Sequence, residues 1–328
     1  GHVRVYNLVG SEWQKIGQDI DGEAANDWSG YSVSLSADGT TVAIGARWND
    51  NNGDRSGQVR VYHLDDSGSS SIWAQVGNDI DGVAAGDHSG WSVSLSSDGK
   101  SVAVGSPFND DNGANAGHAR VFSVPSSSPI TSASPPSSPT TFDWFNPTLS
   151  WEQQGLAITG DSAGDKFGSS VSISGDGMTL AVRARGPVVP SAFGIGVTEG
   201  PGYVEVYYKQ PDLSWLLAET FTGEGNGILW HSVSLSEDGK TLAIGSFDGN
   251  TGDAGHVRVY NLVGSEWQKI GQDIDGEAAG DLSGRSVSLS ADGTTVAIGA
   301  NSNDGNGNAS GHVRVYNLVG SEWQKIGQ

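Results

Sequence analysis

Loops rich in aspartate and asparagine recur along the chain at spacings that could hold a hard cation. Oxygen-bearing side chains alternate in four of these loops, namely Asp50, Asn52 and Asp54; Asp110 and Asn112; Asp248 and Asn250; and Asp304 and Asn306. Ca²⁺ accepts several such oxygens in irregular geometry, so these loops are candidate calcium sites and calcium is the one cofactor the sequence suggests. No full DxDxDG run is present, and no glutamate follows at the EF-hand spacing. Turns in which these side chains bond to nearby backbone are the favoured alternative.

Motifs for catalysis are missing from the sequence. No GxSxG, HExxH, CxxC or phosphate-binding glycine loop occurs. A carboxylate pair for glycoside hydrolysis could lie among the 38 acidic residues, but no pair is singled out. The only N-x-S/T acceptor begins at Asn308, which is therefore the candidate glycosylation site. The sequence predicts a protein that is not an enzyme.

Tandem repeats organise the elements that must position these residues. Residues 1–25 recur unchanged at 255–279, and residues 1–18 recur again at 311–328. Weaker copies begin at Gly57, Gly117 and Gly202. A period of about 55–60 residues is typical of arrays in which each unit buries its faces against its neighbours.

Each repeat predicts four short β-strands, of the types HVRVYNL, WQKIGQDI, SVSLS and TVAIGA. Apolar residues alternate with polar ones in these segments, which is the period of a half-buried strand. Asp-Gly separates the third and fourth segments in five units, beginning at Asp38, Asp98, Asp176, Asp238 and Asp292. Asp-Gly between alternating runs predicts a tight hairpin whose glycine has a positive φ. One tryptophan per repeat (Trp13, Trp73, Trp151, Trp215, Trp267 and Trp323) is predicted to pack between units.

The stretch DKFGSSVSISGDGMTLAV at 165–182, together with GTTVAIGA and GHVRVY, resembles the FG-GAP repeats of integrin-α-type propellers. It is more similar still to the variant in surface proteins of algae and marine bacteria. The resemblance covers nearly the whole chain outside residues 124–148. It implies a β-propeller with SVSLS as the innermost strand of each blade, followed by TVAIG, HVRVY and WQKIG. It also implies an extracellular, adhesive setting.

This order predicts an all-β protein: a single propeller domain over residues 1–328, built of four-stranded antiparallel blades. Five blades are complete, with innermost strands that begin at Ser32, Ser92, Ser170, Ser232 and Ser286. Residues 1–18 remain as an extra outer strand pair, so a ring completed by further sequence would have six or seven blades. The chain begins at Gly1 without an initiator methionine, and we expect it to be part of a longer protein. Residues 124–150, rich in Ser, Thr and Pro, are expected to form an exposed insert in the third repeat.

Large aromatic and polar residues vary at one position of the repeat. The residue before each innermost strand is, in order, Tyr31, Trp91, Ser169, His231 and Arg285, and Trp28 and His88 lie nearby in sequence. In a propeller these positions lie at the mouth of the central channel. Exposed aromatics stack on sugars or peptides, which makes a ligand site of Trp28, Tyr31, His88, Trp91, His231 and Arg285. An equally favoured alternative is that these residues plug the channel mouth.

Composition limits the partners. The chain has 38 acidic and 17 basic residues, a net charge of −21, which disfavours nucleic acid and anionic lipid. Cysteine is absent, and no apolar run is long enough to span a membrane. We therefore expect a non-catalytic adhesion or scaffold propeller, extracellular or at the cell surface, that binds proteins or glycans or assembles with itself into a filament or appendage. The alternative is a glycan lyase or hydrolase with its site at the channel mouth.

Overall fold

The computed structural model describes residues 1–125, 142–186, 188–190, 197–200, 202–223, 228–248 and 254–327. In these ranges every regular element is a β-strand. The chain starts with an antiparallel pair, β1 (His2–Val9) and β2 (Glu12–Asp21). No helix in the described part of the chain is long and apolar enough to cross a membrane.

Five antiparallel sheets follow, here called blades 1 to 5, and each runs outward from its innermost strand in sequence order. Blade 1 contains β3 (Ser29–Leu35), β4 (Thr41–Ala46), β5 (Gln58–Asp65), β6 (Ile72–Gln75) and the short β7 (Ile80–Asp81). Blade 2 contains β8 (Ser92–Leu95), β9 (Ser101–Ser106), β10 (His118–Ser123), β11 (Glu152–Gln153) and β12 (Ile158–Thr159).

Blades 3 to 5 repeat this order. Blade 3 contains β13 (Ser170–Ile173), β14 (Thr179–Ala184), β17 (Tyr203–Lys209) and β18 (Trp215–Thr222), with a separate hairpin of β15 (Val188–Pro190) and β16 (Val197–Glu199). Blade 4 contains β19 (Ile228–Leu235), β20 (Thr241–Asp248), β21 (His256–Val263), β22 (Glu266–Lys269) and β23 (Ile274–Asp275). Blade 5 contains β24 (Ser283–Leu289), β25 (Thr295–Ala300), β26 (His312–Val319) and β27 (Glu322–Ile326). The predicted strand order and the count of five blades plus an outer pair are confirmed.

The hairpins between the two inner strands of each blade have the predicted chemistry. Their glycines all have a positive φ, at Gly39 (72°), Gly99 (70°), Gly177 (70°), Gly239 (67°) and Gly293 (69°). In blade 1, Asp38 Oδ1 accepts hydrogen bonds from Ser36 Oγ at 2.6 Å and from the Thr40 amide at 2.9 Å. The aspartate therefore fixes the turn, and the glycine supplies the left-handed conformation.

Apolar alternation builds the core between successive blades. Val93 and Leu95 of β8 pack with Ala43, Val59 and Val61 of blade 1, and the other interfaces repeat this arrangement. Because each interface uses the same few small and branched side chains, the blades can stack at a constant spacing.

The innermost strand of blade 1 differs from the others in exposure. Val33 is 53% exposed and Leu35 is 48% exposed, whereas the equivalent Val93 and Leu95 are 9% and 7% exposed. The preceding pair β1–β2 packs on blade 1 outside β3, where Val5 and Ile20 lie in one core cluster with residues of β4, β5 and β6. The inner face of β3 is therefore left uncovered within the described structure.

The repeated tryptophans are anchored on the blade before them. The Trp73 ring lies against Gly17, where an added Cβ would come within 2.6 Å of the ring, and its Nε1 donates to the Ile16 carbonyl oxygen at 3.0 Å. Trp151 and Trp323 make the same contact with the preceding blade. The prediction is wrong for Trp13, which is 69% exposed because no blade precedes it in the described structure.

The insert in the third repeat is exposed over less of its length than expected. Residues 126–141 lie outside the described residues. Residues 142–150 lie on the propeller: Phe142 and Trp144 pack against the core of blades 1 and 2, and Leu149 is buried. Trp144 also stacks on His63 with ring centres 4.6 Å apart. Aromatic side chains in this segment bury more apolar surface than its overall composition suggests.

Candidate functional site

Side chains from all five blades converge on one cavity of about 470 Å³ at the centre of the propeller. The residue before each innermost strand contributes to its wall, which therefore contains Tyr31, Trp91, Ser169, His231 and Arg285. Loops between strands add Pro107, Phe108, Lys166 and Arg185, and β14 adds Arg183. The volume is within the range of small-molecule sites.

Aromatic rings from blades 1 and 2 form one wall of this cavity. Trp91 lies 5.3 Å from Tyr31 and 5.3 Å from Phe108 between ring centres. His88 stacks behind this wall, parallel to Trp91 within 12° and 4.8 Å from Phe108. Of the six predicted ligand residues, the structure thus brings Tyr31, Trp91, His231 and Arg285 into the cavity, while His88 supports the wall from behind.

Trp28, the remaining predicted residue, belongs to a cage around Arg47. The Arg47 guanidinium carbon lies 4.6 Å from the Trp28 ring, 4.0 Å from Tyr31, 5.1 Å from Trp48 and 4.4 Å from Trp91. Arg47 is only 9% exposed, and burial lowers its pKa. Four aromatic faces here take the place of a carboxylate partner, so Trp28 supports the aromatic wall through a cation–π interaction.

Cationic residues of blades 3 and 5 form the opposite wall. Lys166, Arg183, Arg185 and Arg285 lie close enough that each of Lys166 and Arg183 has its pKa lowered by neighbouring cations as well as by burial. Arg183 is 6% exposed, and its pKa falls to about 9, first through burial and then through Arg185 and Arg285. Among the described residues, no acid forms an ion pair with Lys166, Arg183 or Arg285. Although the chain has a net charge of −21, these three cations lie in its central cavity without an acidic partner in the described structure.

Arg183 stands at a position where the repeat otherwise has glycine. The equivalents in the other four blades are Gly45, Gly105, Gly245 and Gly299. A Cβ at the first three of these would overlap a backbone oxygen of the following blade, at Gly90, Gly168 and Gly284. After blade 3 the following blade carries Trp230 in place of that second glycine. The close glycine contact is therefore given up at this one interface, and the long Arg183 side chain occupies the cavity.

His231 lies beside this cationic wall. Its pKa falls to about 3, first through burial and then through the positive charges of Arg183, Arg285 and Arg185. The imidazole is therefore neutral at physiological pH. A neutral imidazole can accept a proton, and a bound anion would favour its charged form.

The cavity can therefore bind a negatively charged group on one side and a flat or apolar face on the other. Sequence reasoning identified the positions before the innermost strands but missed Lys166, Arg183, Arg185 and Phe108. The sequence does distinguish Arg183: the other four blades have Val-Gly or Ile-Gly at this point of the second strand, whereas residues 182–184 read VRA. Lys166 aligns with Trp28 and His88, all three with positive φ.

In the candidate calcium loops, one carboxylate oxygen of each of three aspartates accepts a backbone amide of its own turn. Asp50 Oδ1 accepts from the Arg55 amide at 2.7 Å, and Asn52 Nδ2 donates to the Gly82 carbonyl oxygen at 2.7 Å. Asp110, Asn112 and Asp304 make the equivalent bonds, and the exposed Asp54 and Asn306 lie in the same loops. Within the described ranges no three acidic or histidine side chains are grouped to hold a metal. Asn250 and the side chain of Asp248 lie outside the described residues, and Asn308 is exposed.

Fold and sequence together place the chain among known proteins in two steps. The sheets define a β-propeller with an axial cavity. Residues 19–62 and 81–122 match the family model of the FG-GAP repeat, so the predicted resemblance is confirmed for these two segments of the propeller. No curated protein matches the sequence.

Solved structures of similar fold are propellers of several kinds. A protein from Bacteroides uniformis assigned as a 6-phosphogluconolactonase aligns with 95% of this chain and 76% of its own, at 13% identity and a TM-score of 0.54. The periplasmic gluconolactonase PpgL of Pseudomonas aeruginosa aligns with 99% and 91%, at 14% identity and a TM-score of 0.45. TolB of Acinetobacter baumannii aligns with 82% and 48%, at 12% identity and a TM-score of 0.42.

These neighbours require a correction. The prediction of a non-catalytic adhesion or scaffold propeller is wrong by this comparison, because the similar structure from Bacteroides uniformis is assigned as a 6-phosphogluconolactonase. The prediction that the protein is not an enzyme is not supported either. At 13% identity the likeness itself shows the propeller fold. Function must therefore be argued from the cavity.

Proposed function

We propose that the axial cavity binds a small anionic ligand. The observation that carries this proposal is Arg183, which is 6% exposed, lines the cavity and has no acidic partner among the described residues. A buried guanidinium without a counter-ion is unfavourable unless something compensates it. Lys166, Arg185 and Arg285 lie at the same wall and increase the positive potential.

An anion in the cavity would supply the missing partner. Guanidinium groups bind carboxylate and phosphate through paired, charge-assisted hydrogen bonds, which are about twice as strong as neutral ones. Partial burial reduces screening by salt, so the attraction is stronger than on an open surface. The ligand's charge therefore offsets the repulsion among the four cations.

Calorimetric titration with inorganic phosphate, glucose 6-phosphate, glucuronate and glucose tests the proposal. We expect the three anions to bind and glucose to bind at least tenfold more weakly. Arg285→Ser introduces the residue that blade 3 has at the same repeat position, Ser169, and should weaken anion binding at least tenfold. Arg4→Gln, which removes an exposed cation paired with Asp19 on β1, is the matched control and should bind as the wild type does. If no anion binds, or if both variants behave alike, the proposal fails.

Hydrolysis of an anionic sugar lactone is a second candidate, favoured by His231. When the negative charge of a bound ligand raises its lowered pKa, the imidazole beside Arg183 and Arg285 can take a proton from a water that adds to the lactone carbonyl, and the guanidinium groups can stabilise the resulting oxyanion. The ring C–O bond then breaks, the protonated imidazole returns its proton to the leaving alkoxide oxygen, and a hydroxy acid results. The assigned activity of the Bacteroides uniformis protein suggests 6-phosphogluconolactone as the first compound to assay. Turnover that is lost in His231→Gln while ligand affinity is retained would support catalysis; binding without turnover would reject it.

An extracellular or cell-surface location forms part of the proposal. FG-GAP repeats typically occur in extracellular proteins, and two segments of this chain match them. The strongly acidic surface suits a protein that stays soluble at high local concentration.

A further inference from the structure

The axial cavity has two chemically different walls that face a single space. Tyr31, Trp91 and Phe108 lie on the side of blades 1 and 2, whereas the cations come from blades 3 and 5. The walls meet where Lys166 Nζ lies 5.0 Å from the centre of the Phe108 ring. A ligand that fills the cavity must therefore contact both walls at once.

The charge on the cationic wall exceeds what a single carboxylate would neutralise. Lys166, Arg183 and Arg285 line the cavity without an acidic partner among the described residues, and the described lining contains no aspartate or glutamate. A phosphate monoester carries about −1.5 to −2 charges near pH 7 and has three acceptor oxygens. It can therefore engage two or three guanidinium groups, whereas a carboxylate has two oxygens and one charge.

The aromatic wall requires more than an inorganic ion. The Trp91 and Phe108 rings stand at 59° to each other, with their centres 5.3 Å apart, and both contribute aromatic surface to the lining of the cavity. An inorganic phosphate bound at the cationic wall would leave this aromatic surface in contact with water. The C–H face of a sugar ring would cover it, because aromatic side chains stack on such faces.

We infer that the ligand of this cavity is a sugar phosphate, with its phosphate on Lys166, Arg183 and Arg285 and its ring on Trp91 and Phe108. This inference rests on the proposed anion-binding function and narrows the ligand to a dianion joined to a ring. It also assigns separate roles to the two walls: the cationic wall sets affinity for the charge, and the aromatic wall selects the organic part.

Two substitutions taken from the repeat itself separate these roles. Phe108→Ser gives blade 2 the residue of blade 5 at that position, Ser302, and Arg285→Ser gives blade 5 the residue of blade 3. Both variants should be compared with the wild type by calorimetry at one ionic strength. We expect glucose 6-phosphate to bind at least tenfold more tightly than glucuronate or inorganic phosphate. Phe108→Ser should remove its advantage over inorganic phosphate, and Arg285→Ser should weaken both phosphates.

The outcomes distinguish the sugar phosphate inference from the anion-binding function on which it rests. If glucuronate and glucose 6-phosphate bind equally well, the sugar phosphate inference is overturned while the anion-binding function stands. If inorganic phosphate binds as tightly as glucose 6-phosphate, the role of the aromatic wall is overturned. If no anion binds, both proposals fail together. Arg285 is exposed, so its substitution should leave the fold intact, and circular dichroism checks this for both variants.

Discussion

Replacing Arg183 by methionine should make the ligand-free protein more stable. Arg183 is 6% exposed, has no acidic partner in the described structure, and is repelled by Arg185 and Arg285. Methionine has a similar length, adapts its shape and carries no charge. The substitution therefore removes a buried charge without leaving a large cavity.

The depressed pKa of Arg183 sets the size of this effect. Lowering its pKa from 12.5 to about 9 corresponds to roughly 5 kcal/mol of penalty on the charged form. Replacing buried ionic groups by apolar side chains of similar volume stabilises proteins by about 1–4 kcal/mol, since part of the penalty is recovered by relaxation. We expect a gain of about 1–4 kcal/mol in the free energy of unfolding of Arg183→Met.

Thermal or chemical unfolding near pH 7, with and without glucose 6-phosphate, measures the effect. A ligand at a hundredfold excess over Kd should stabilise the wild type by about 2.7 kcal/mol and leave Arg183→Met unchanged. The pH dependence gives a second check. Between pH 9 and 12.5 the unfolded arginine binds more protons than the folded one, so wild-type stability rises with pH through this window. The advantage of the variant should therefore shrink as the pH rises above about 9.

Arg314→Met is the matched control. Arg314 is 7% exposed, but its guanidinium donates to the Asp275 carbonyl oxygen at 2.8 Å and lies 3.6 Å from Glu277. Removing it takes a donor from the Asp275 carbonyl oxygen and from the buried Ser283 hydroxyl, and should destabilise the protein by about 1–3 kcal/mol. If Arg183→Met destabilises the protein as much as Arg314→Met does, Arg183 is structural and the reasoning about an unpaired charge is refuted.

Three further predictions follow from the same structure. His118 is fully buried, and burial and the charge of Arg120 lower its pKa to about 3. Protein stability should therefore decline as the pH falls from 6.5 towards 3. His118→Gln, which introduces the residue that blade 1 has at this position, Gln58, should flatten the profile of melting temperature against pH. Trp73→Ala should lower the free energy of unfolding by about 3–5 kcal/mol. Because Trp13 is exposed, Trp13→Ala should change it by less than about 0.5 kcal/mol. Equal effects of the two substitutions in urea unfolding would show that the contact between blades does not account for the stability. Millimolar calcium should raise the melting temperature no more than sodium chloride at matched ionic strength, because Asp50 Oδ1 already accepts a backbone amide; a larger shift with calcium would restore the loops as cation sites.

Repetition made most of the fold predictable. Period-two alternation and Asp-Gly turns predicted the strands. The recurrence of both patterns predicted the blades, because most units pack against neighbours of the same kind. The exceptions are units whose neighbours differ. Trp13 has the same sequence environment as Trp267 but is exposed, since packing depends on the preceding blade and not on the local segment. Local sequence cannot report which neighbour is present.

The cavity was predictable only in part. Tyr31, Trp91, His231 and Arg285 vary at a fixed position in the repeat, and the resemblance placed that position at the channel mouth. Arg183 lies within a strand that otherwise repeats, and strand periodicity treats it as one more alternating residue. Its importance becomes visible only when the glycine contact that it replaces is known in three dimensions.

The glycine contact also explains why the site is at this interface. In blades 1, 2 and 4 the second strand approaches the next blade so closely that any side chain would overlap backbone, which leaves no space for a functional group there. Blade 3 gives up that contact and gains room for one long side chain that reaches the axis. The other described interfaces that have a following blade keep the close glycine contact, so the cost of a buried arginine without an acidic partner in the described structure is confined to one sector. A repeat protein can thus build an asymmetric binding site by relaxing a single interface, and the stability gained in Arg183→Met would measure what that relaxation costs.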